Sequence, residues 1–125
     1  MKKISFSQSV LIIALAVIVL LLGSSLWKNI APSKYDALAQ CITDAGGQVK
    51  VAYWCSACAK QEAMFKSAWR LIDSIECSSP GSSVFDLCPE ISATPTWILP
   101  DGSTMEGAYE LTKLAEVYSC ENTLP

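Results

Sequence analysis

Six cysteines and no histidine frame the chemistry open to this chain of 125 residues. Without imidazole there is no Ser-His-Asp or Cys-His catalysis, no His-ligated zinc and no histidine pH switch. Thiols remain. Two of them stand in Cys55-Ser56-Ala57-Cys58, a spacing that lets the pair close into a small disulfide ring. The residues before it, Gln48–Trp54 (QVKVAYW), are β-branched and aromatic and short enough for a strand. After it, Cys58, Phe65, Ala68, Trp69 and Ile72 recur at helical spacing to about Asp73. Cys55 therefore falls at a helix N-terminus, where unpaired N–H groups and the helix dipole favour an anion. A thiolate there is stabilised below the free thiol value of about 8.5. The thiolate is the nucleophile of disulfide exchange. Cys55 is thus the expected attacking thiol and Cys58, one turn further in, the expected resolving thiol.

Two plainer readings of this pair stand beside the redox one. It can be a structural bridge, or half of a zinc site. A four-cysteine zinc site wants two short-spaced pairs, and Cys41, Cys77, Cys88 and Cys120 are scattered. No metal and no cofactor are expected. A formal charge of −3 also makes nucleic acid an unsuitable partner, since its binding depends on neutralising phosphates.

The elements that must position the pair follow from periodicity. Ser33 can cap a helix over Tyr35–Ala45, with Leu38, Cys41 and Ile42 on one face and Gly46-Gly47 ending it. Ser74–Cys77 is a second strand candidate, and Ser78–Ser83 a loop. Val84–Cys88 reads as a short helix closed by Pro89. Pro95–Leu99 and Thr104–Glu106 read as a hairpin around Pro100-Asp101-Gly102-Ser103. A last helix covers Leu111–Ser119. The order predicts an α/β domain, a mixed sheet with helices on its faces.

The N-terminus is of another kind. Lys2 and Lys3 are followed by 24 uncharged residues, Ile4–Trp27, whose densest part is VLIIALAVIVLLL. As a helix this reaches about 36 Å, enough for a hydrocarbon core of about 30 Å. A retained transmembrane anchor runs to Trp27, with Lys28 just outside. A cleaved signal peptide would use Gly23-Ser24-Ser25. A buried soluble helix is the third reading, though a uniformly apolar helix has no face for water. Both leading readings leave Lys2 and Lys3 in the cytoplasm and send the rest out, into an oxidising compartment where disulfides form. The expected organisation is an anchor or uncleaved signal over residues 1–27, a linker over 28–33 and one domain over 34–125. Without Lys2 and Lys3, the remainder holds 7 basic and 12 acidic side chains, a net −5.

Tyr53-Trp54-Cys55-Ser56-Ala57-Cys58 resembles the W-C-x-x-C motif of the thioredoxin superfamily. Thr94-Pro95-Thr96-Trp97 resembles that fold's cis-proline strand, with Gly107 where the fold has a glycine after its hairpin. More closely, LAQC…AYWCSAC…Q…MF…ECSSPG…LC…PTW…EG is similar to the thioredoxin-like domain associated with vitamin K epoxide reductase homologues, over roughly residues 35–118. The resemblance implies a thioredoxin-like fold, Cys55 as nucleophile, Cys58 as its partner, and a cis Pro95 beside them. Thr94 would pair with an extended substrate segment, and Trp54 would flank the site or pack in the core. It also implies a bridge between Cys77 and Cys88, which bracket the 78–87 loop; an electron relay to the active pair is the functional alternative. Cys41–Cys120 then follows by elimination, unless Cys41 is a free, core-facing thiol.

The implied activity is thiol–disulfide exchange with exported proteins, recharged by a membrane protein of the vitamin K epoxide reductase type. A stapled binding or assembly domain without redox turnover is the alternative. The sequence departs from the family in two places. Ser56-Ala57 lacks the histidine or proline usual between the cysteines, and residues 48–54 lack the buried acid of thioredoxins. Glu62 is a candidate substitute for that acid, beside its plainer reading as a solvated carboxylate.

Overall fold

The computed structural model describes residues 5–125. Lys2 and Lys3, on which the orientation reading rests, lie outside them. So do the side chains of residues 25, 26 and 28–30, which include parts of the cleavage-site and boundary-lysine readings. The chain divides at Ala31–Pro32 into two units, each taken here by itself.

The first unit is one helix, α1 (Phe6–Ile30). Ser5 caps it: its hydroxyl accepts from the Gln8 amide, and the Gln8 side chain accepts from the Ser5 amide. No residue of the apolar stretch Phe6–Ser24 is buried. Its length and composition suit a bilayer.

The second unit opens with α2 (Asp36–Asp44), which turns Leu38, Ala39 and Ile42 inward. Gly46, at a φ of +82°, follows it in the left-handed conformation that glycine adopts without steric cost. Next come β1 (Gln48–Val51), α3 (Ser56–Phe65), a 3-10 turn over Lys66–Leu71, and β2 (Asp73–Glu76). The hairpin β3 (Thr96–Ile98) and β4 (Thr104–Glu106) and the helix α4 (Leu111–Val117) complete the fold. The sheet order is β2-β1-β3-β4. β1 pairs in parallel with β2, through the α3 crossover that parallel strands require, and antiparallel with β3. This mixed sheet flanked by helices is a thioredoxin-like fold.

Val49 and Trp97 face each other in the β1–β3 register, and both are fully buried. Phe65, Trp69 and Tyr118 surround Trp97 with ring centroids 6.3, 6.4 and 6.2 Å away. The Tyr118 hydroxyl donates to the Ile98 carbonyl at 2.7 Å. Cys41 is bonded to Cys120, with Cα atoms 6.0 Å apart, and Cys77 to Cys88, at 5.0 Å. Such bridges persist on the oxidising side of a membrane. With α1, they describe a single-pass membrane protein whose domain is extracytoplasmic.

Two elements differ from the sequence expectation. The helix after Cys58 does not run to Asp73. It ends at Phe65, and Lys66 takes a φ of 56°. Contacts with α2 pull the following turn away: Thr43 donates to the Leu71 carbonyl at 2.7 Å, and Arg70 holds both Asp36 oxygens at 3.0 and 2.7 Å. Val84–Cys88 is not a helix but a series of turns. The Val84 carbonyl accepts from the Ser78 hydroxyl at 2.8 Å, and the Cys77 carbonyl accepts from the Leu87 amide at 3.1 Å. The two limbs of the loop satisfy each other, so no helical ladder forms. Ser79 adds a clasp to Asp86; its hydroxyl and amide hold that carboxyl down to about 2, so the clasp opens only as pH falls toward that value.

Candidate thiol site

β1 delivers the chain to the Ala52 carbonyl, which accepts from the Cys55 amide at 2.9 Å. Cys55 is the N-cap of α3, with extended backbone (φ −84°, ψ 114°). Its sulfur accepts from the Cys58 amide at 3.2 Å. The thiol thus fills the place that a Ser or Asp oxygen usually fills, satisfying an orphan donor of the helix start. Its S–H donates to the Thr94 carbonyl at 3.2 Å. Thr94 precedes a cis peptide to Pro95, whose carbonyl accepts from the Gly107 amide at 2.7 Å. Gly107 has a φ of 112°, a conformation open to glycine. The structure therefore brings Cys55, Cys58 and Thr94–Pro95 to one place, from three separate stretches of chain.

Cys55 and Cys58 both carry free thiols; Cys55 is half-buried and Cys58 buried. Their acidities separate. Burial works against ionisation of Cys55, but hydrogen bonds from the Cys58 thiol, the Thr94 side chain and the Cys58 and Ala57 amides outweigh it and lower its pKa. Burial, and then the hydrogen bond to Cys55, push the Cys58 thiol up to about 11. The pair is arranged as one thiol ready to ionise and one held protonated. Rising pH should therefore expose two alkylation steps. Iodoacetamide at pH 7 should modify Cys55 faster than Cys58 by roughly a hundredfold or more, as peptide mass spectrometry of the full chain in detergent would show. Equal rates would contradict the assignment.

Trp54 lies at the surface, 43% exposed. It stacks on Phe85 (5.4 Å between centroids, 16° between planes) and donates to the Ser78 hydroxyl at 2.9 Å. It is seated on the loop that Cys77–Cys88 closes. Tyr53 clasps the same loop, donating to the Ser82 carbonyl at 2.7 Å and accepting from the Gly81 amide at 3.1 Å. Among the described residues outside α1, the large exposed apolar side chains are Tyr53, Trp54, Val84 and Leu87. All four belong to this loop or to the two positions before Cys55. A groove between Tyr53, Glu76 and Leu87 runs beside them.

Glu62 is exposed on α3. The buried polar residue of that helix is its neighbour Gln61, for which the sequence reading assigned no role. Its side chain meets both backbone groups of Tyr109. The signal was present in the spacing, because Cys58, Gln61 and Phe65 share the inward face of α3.

No family model matches the chain. Among curated proteins it is similar to the thiol-disulfide oxidoreductase LTO1 of Arabidopsis thaliana, with 33% identity over 88 residues. That alignment takes in 65% of this chain, which spans only 23% of the plant protein's length. Fold and similarity together support a place in the thioredoxin superfamily.

Proposed function

We propose that this is a membrane-anchored thiol–disulfide oxidoreductase that exchanges disulfides with exported proteins through Cys55 and Cys58. The observation that carries the reading is the Cys55 thiol itself. It caps a helix, is partly open to solvent, and is more acidic than its buried neighbour. In the reducing direction the Cys55 thiolate attacks one sulfur of a client disulfide. That S–S bond breaks, the second client sulfur leaves as a thiolate, and a mixed disulfide forms on Cys55. Cys58 then loses its proton and attacks the Cys55 sulfur. The client leaves as a dithiol, gaining two electrons, and the Cys55–Cys58 disulfide holds the oxidised charge. Run backwards, the same steps oxidise a client dithiol. Trp54, Thr94 and Pro95 border the reacting sulfur on this reading and bind the client segment.

The oxidising direction needs a partner that takes two electrons from the pair. The resemblance to domains associated with vitamin K epoxide reductase homologues points to a quinone-linked membrane protein of that type, and α1 would hold the domain near it. An exchange assay tests the activity. The full chain in detergent is mixed with a fluorescent glutathione disulfide, beside its Cys55→Ser variant. The reading requires turnover at least about tenfold faster than the variant.

A second reading rests on the two closed bridges. Cys41–Cys120 and Cys77–Cys88 staple the fold independently of any turnover, and a stapled exported domain that binds or assembles is what these bridges by themselves support best. Equal rates for the chain and its Cys55→Ser variant would establish that reading instead.

A further inference from the structure

Gln61 is fully buried in α3. A buried amide is costly unless its groups are paired. Here both halves are paired with one residue: Oε1 accepts from the Tyr109 amide at 2.8 Å, and Nε2 donates to the Tyr109 carbonyl at 3.0 Å. The side chain addresses Tyr109 as a neighbouring strand would, through donor and acceptor at once. Tyr109 lies between β4 and α4, two residues after Gly107. The Gly107 amide donates to Pro95, and the adjacent Thr94 carbonyl accepts from the Cys55 thiol. The contacts close a circuit from Cys55 along α3 to Gln61, across to Tyr109, back to Gly107, and through Pro95 to Thr94 beside Cys55.

The circuit joins two halves of the site that come from different elements. Cys55 and Cys58 ride on α3, while Thr94 belongs to the stretch before β3. Phe65 also fastens α3 to the core, but apolar contact is non-directional and sets no hydrogen-bond register between α3 and the chain beside it. The paired amide is directional in two senses. We propose that Gln61 is a positioning residue: it fixes α3 against the Tyr109–Gly107 segment, and so fixes where the Cys55 sulfur sits relative to Thr94. The inference rests on the exchange reading for its biological meaning, but its test does not depend on turnover.

The test is the Gln61→Met variant of the full chain in detergent. Methionine nearly conserves volume and leaves both Tyr109 backbone groups without their partner. Leu114→Ala on α4 serves as the control, because it opens a core cavity and removes none of the circuit's hydrogen bonds. Both variants should lower the melting temperature. Only Gln61→Met should also slow alkylation of Cys55 at pH 7, by about tenfold, through a higher titration midpoint of its thiol. Leu114→Ala should stay within about twofold of the parent chain. If Gln61→Met does not fold, Gln61→Asn replaces it, with the same direction expected; it keeps both groups and shortens their reach by one methylene. Loss of stability with an unchanged Cys55 rate in the Gln61 variant overturns the proposal and leaves Gln61 a core staple. Loss of Cys55 reactivity in that variant, in a parent chain that shows no client exchange, upholds the positioning role and removes the functional reading instead.

Discussion

Replacing Cys58 with alanine should trap client proteins on Cys55, and replacing Cys55 with alanine should trap none. Cys55 keeps its helix-cap position in the Cys58→Ala chain, because the amide of residue 58 still donates to its sulfur. The Cys58 thiol's share in lowering the Cys55 pKa is lost, but the Thr94 hydrogen bond and those of the two backbone amides remain, and attack on client disulfides continues. The resolving step is lost. An intramolecular attack is then replaced by attack from external thiols, which should lengthen the life of the mixed disulfide by roughly a hundredfold or more. Cells producing each variant are quenched in acid and alkylated. The membrane fraction is then resolved without reductant, and the reductant-sensitive conjugates of the Cys58→Ala chain are counted against those of the Cys55→Ala chain. Equal conjugates from both variants would mean that Cys55 has no privileged role.

Removing the Cys41–Cys120 bridge should destabilise the domain by about 4–5 kcal/mol, and removing Cys77–Cys88 by only about 3. The difference follows from chain separation, 79 residues against 11, since a longer loop loses more freedom in the unfolded chain when it is closed. A domain of this size has only about 5–15 kcal/mol to lose. The Cys41→Ser/Cys120→Ser chain should then unfold at a much lower urea concentration than the Cys77→Ser/Cys88→Ser chain. Paired substitution avoids leaving a lone reactive thiol. Denaturation followed by tryptophan fluorescence checks the ranking. Equal losses, or the reverse order, would show that native-state packing around the sulfurs outweighs loop closure.

How far the sequence carried depended on the range of the forces involved. The strand, CxxC and helix order was legible because β1, Cys55 and the start of α3 follow one another directly, and local propensity suffices there. The hairpin around Gly102 was legible for the same reason. The end of α3 was not. No glycine or proline marks Lys66, and the break answers to two contacts with α2, Arg70 on Asp36 and the Leu71 carbonyl on Thr43. Val84–Cys88 has helical spacing, but the Ser78 and Cys77 contacts from the opposite limb decide it. Trp54 reads as rim or core from its position, with the rim favoured. Its stacking partner Phe85 is far away in sequence, and that contact is not legible locally. Cys41–Cys120 was reached only by elimination, since nothing local says that α2 and the C-terminal turn cover the same side of the core. Gln61 was overlooked because glutamine on a helix usually faces water. Its place on the face of Cys58 and Phe65 was visible, but Tyr109 was not.

The most direct test of the account is a redox titration of the full chain in detergent against glutathione buffers, read by alkylation and mass spectrometry of each cysteine. The account predicts that Cys55 and Cys58 open together as one two-electron couple, while Cys41–Cys120 and Cys77–Cys88 stay closed to well below about −300 mV. A midpoint for the pair near or above about −200 mV marks an oxidase or isomerase, and one near −270 mV a reductase. A Cys55–Cys58 bridge as resistant as the other two, or a pair that never closes across the range, would contradict the exchange function and leave a stapled binding domain.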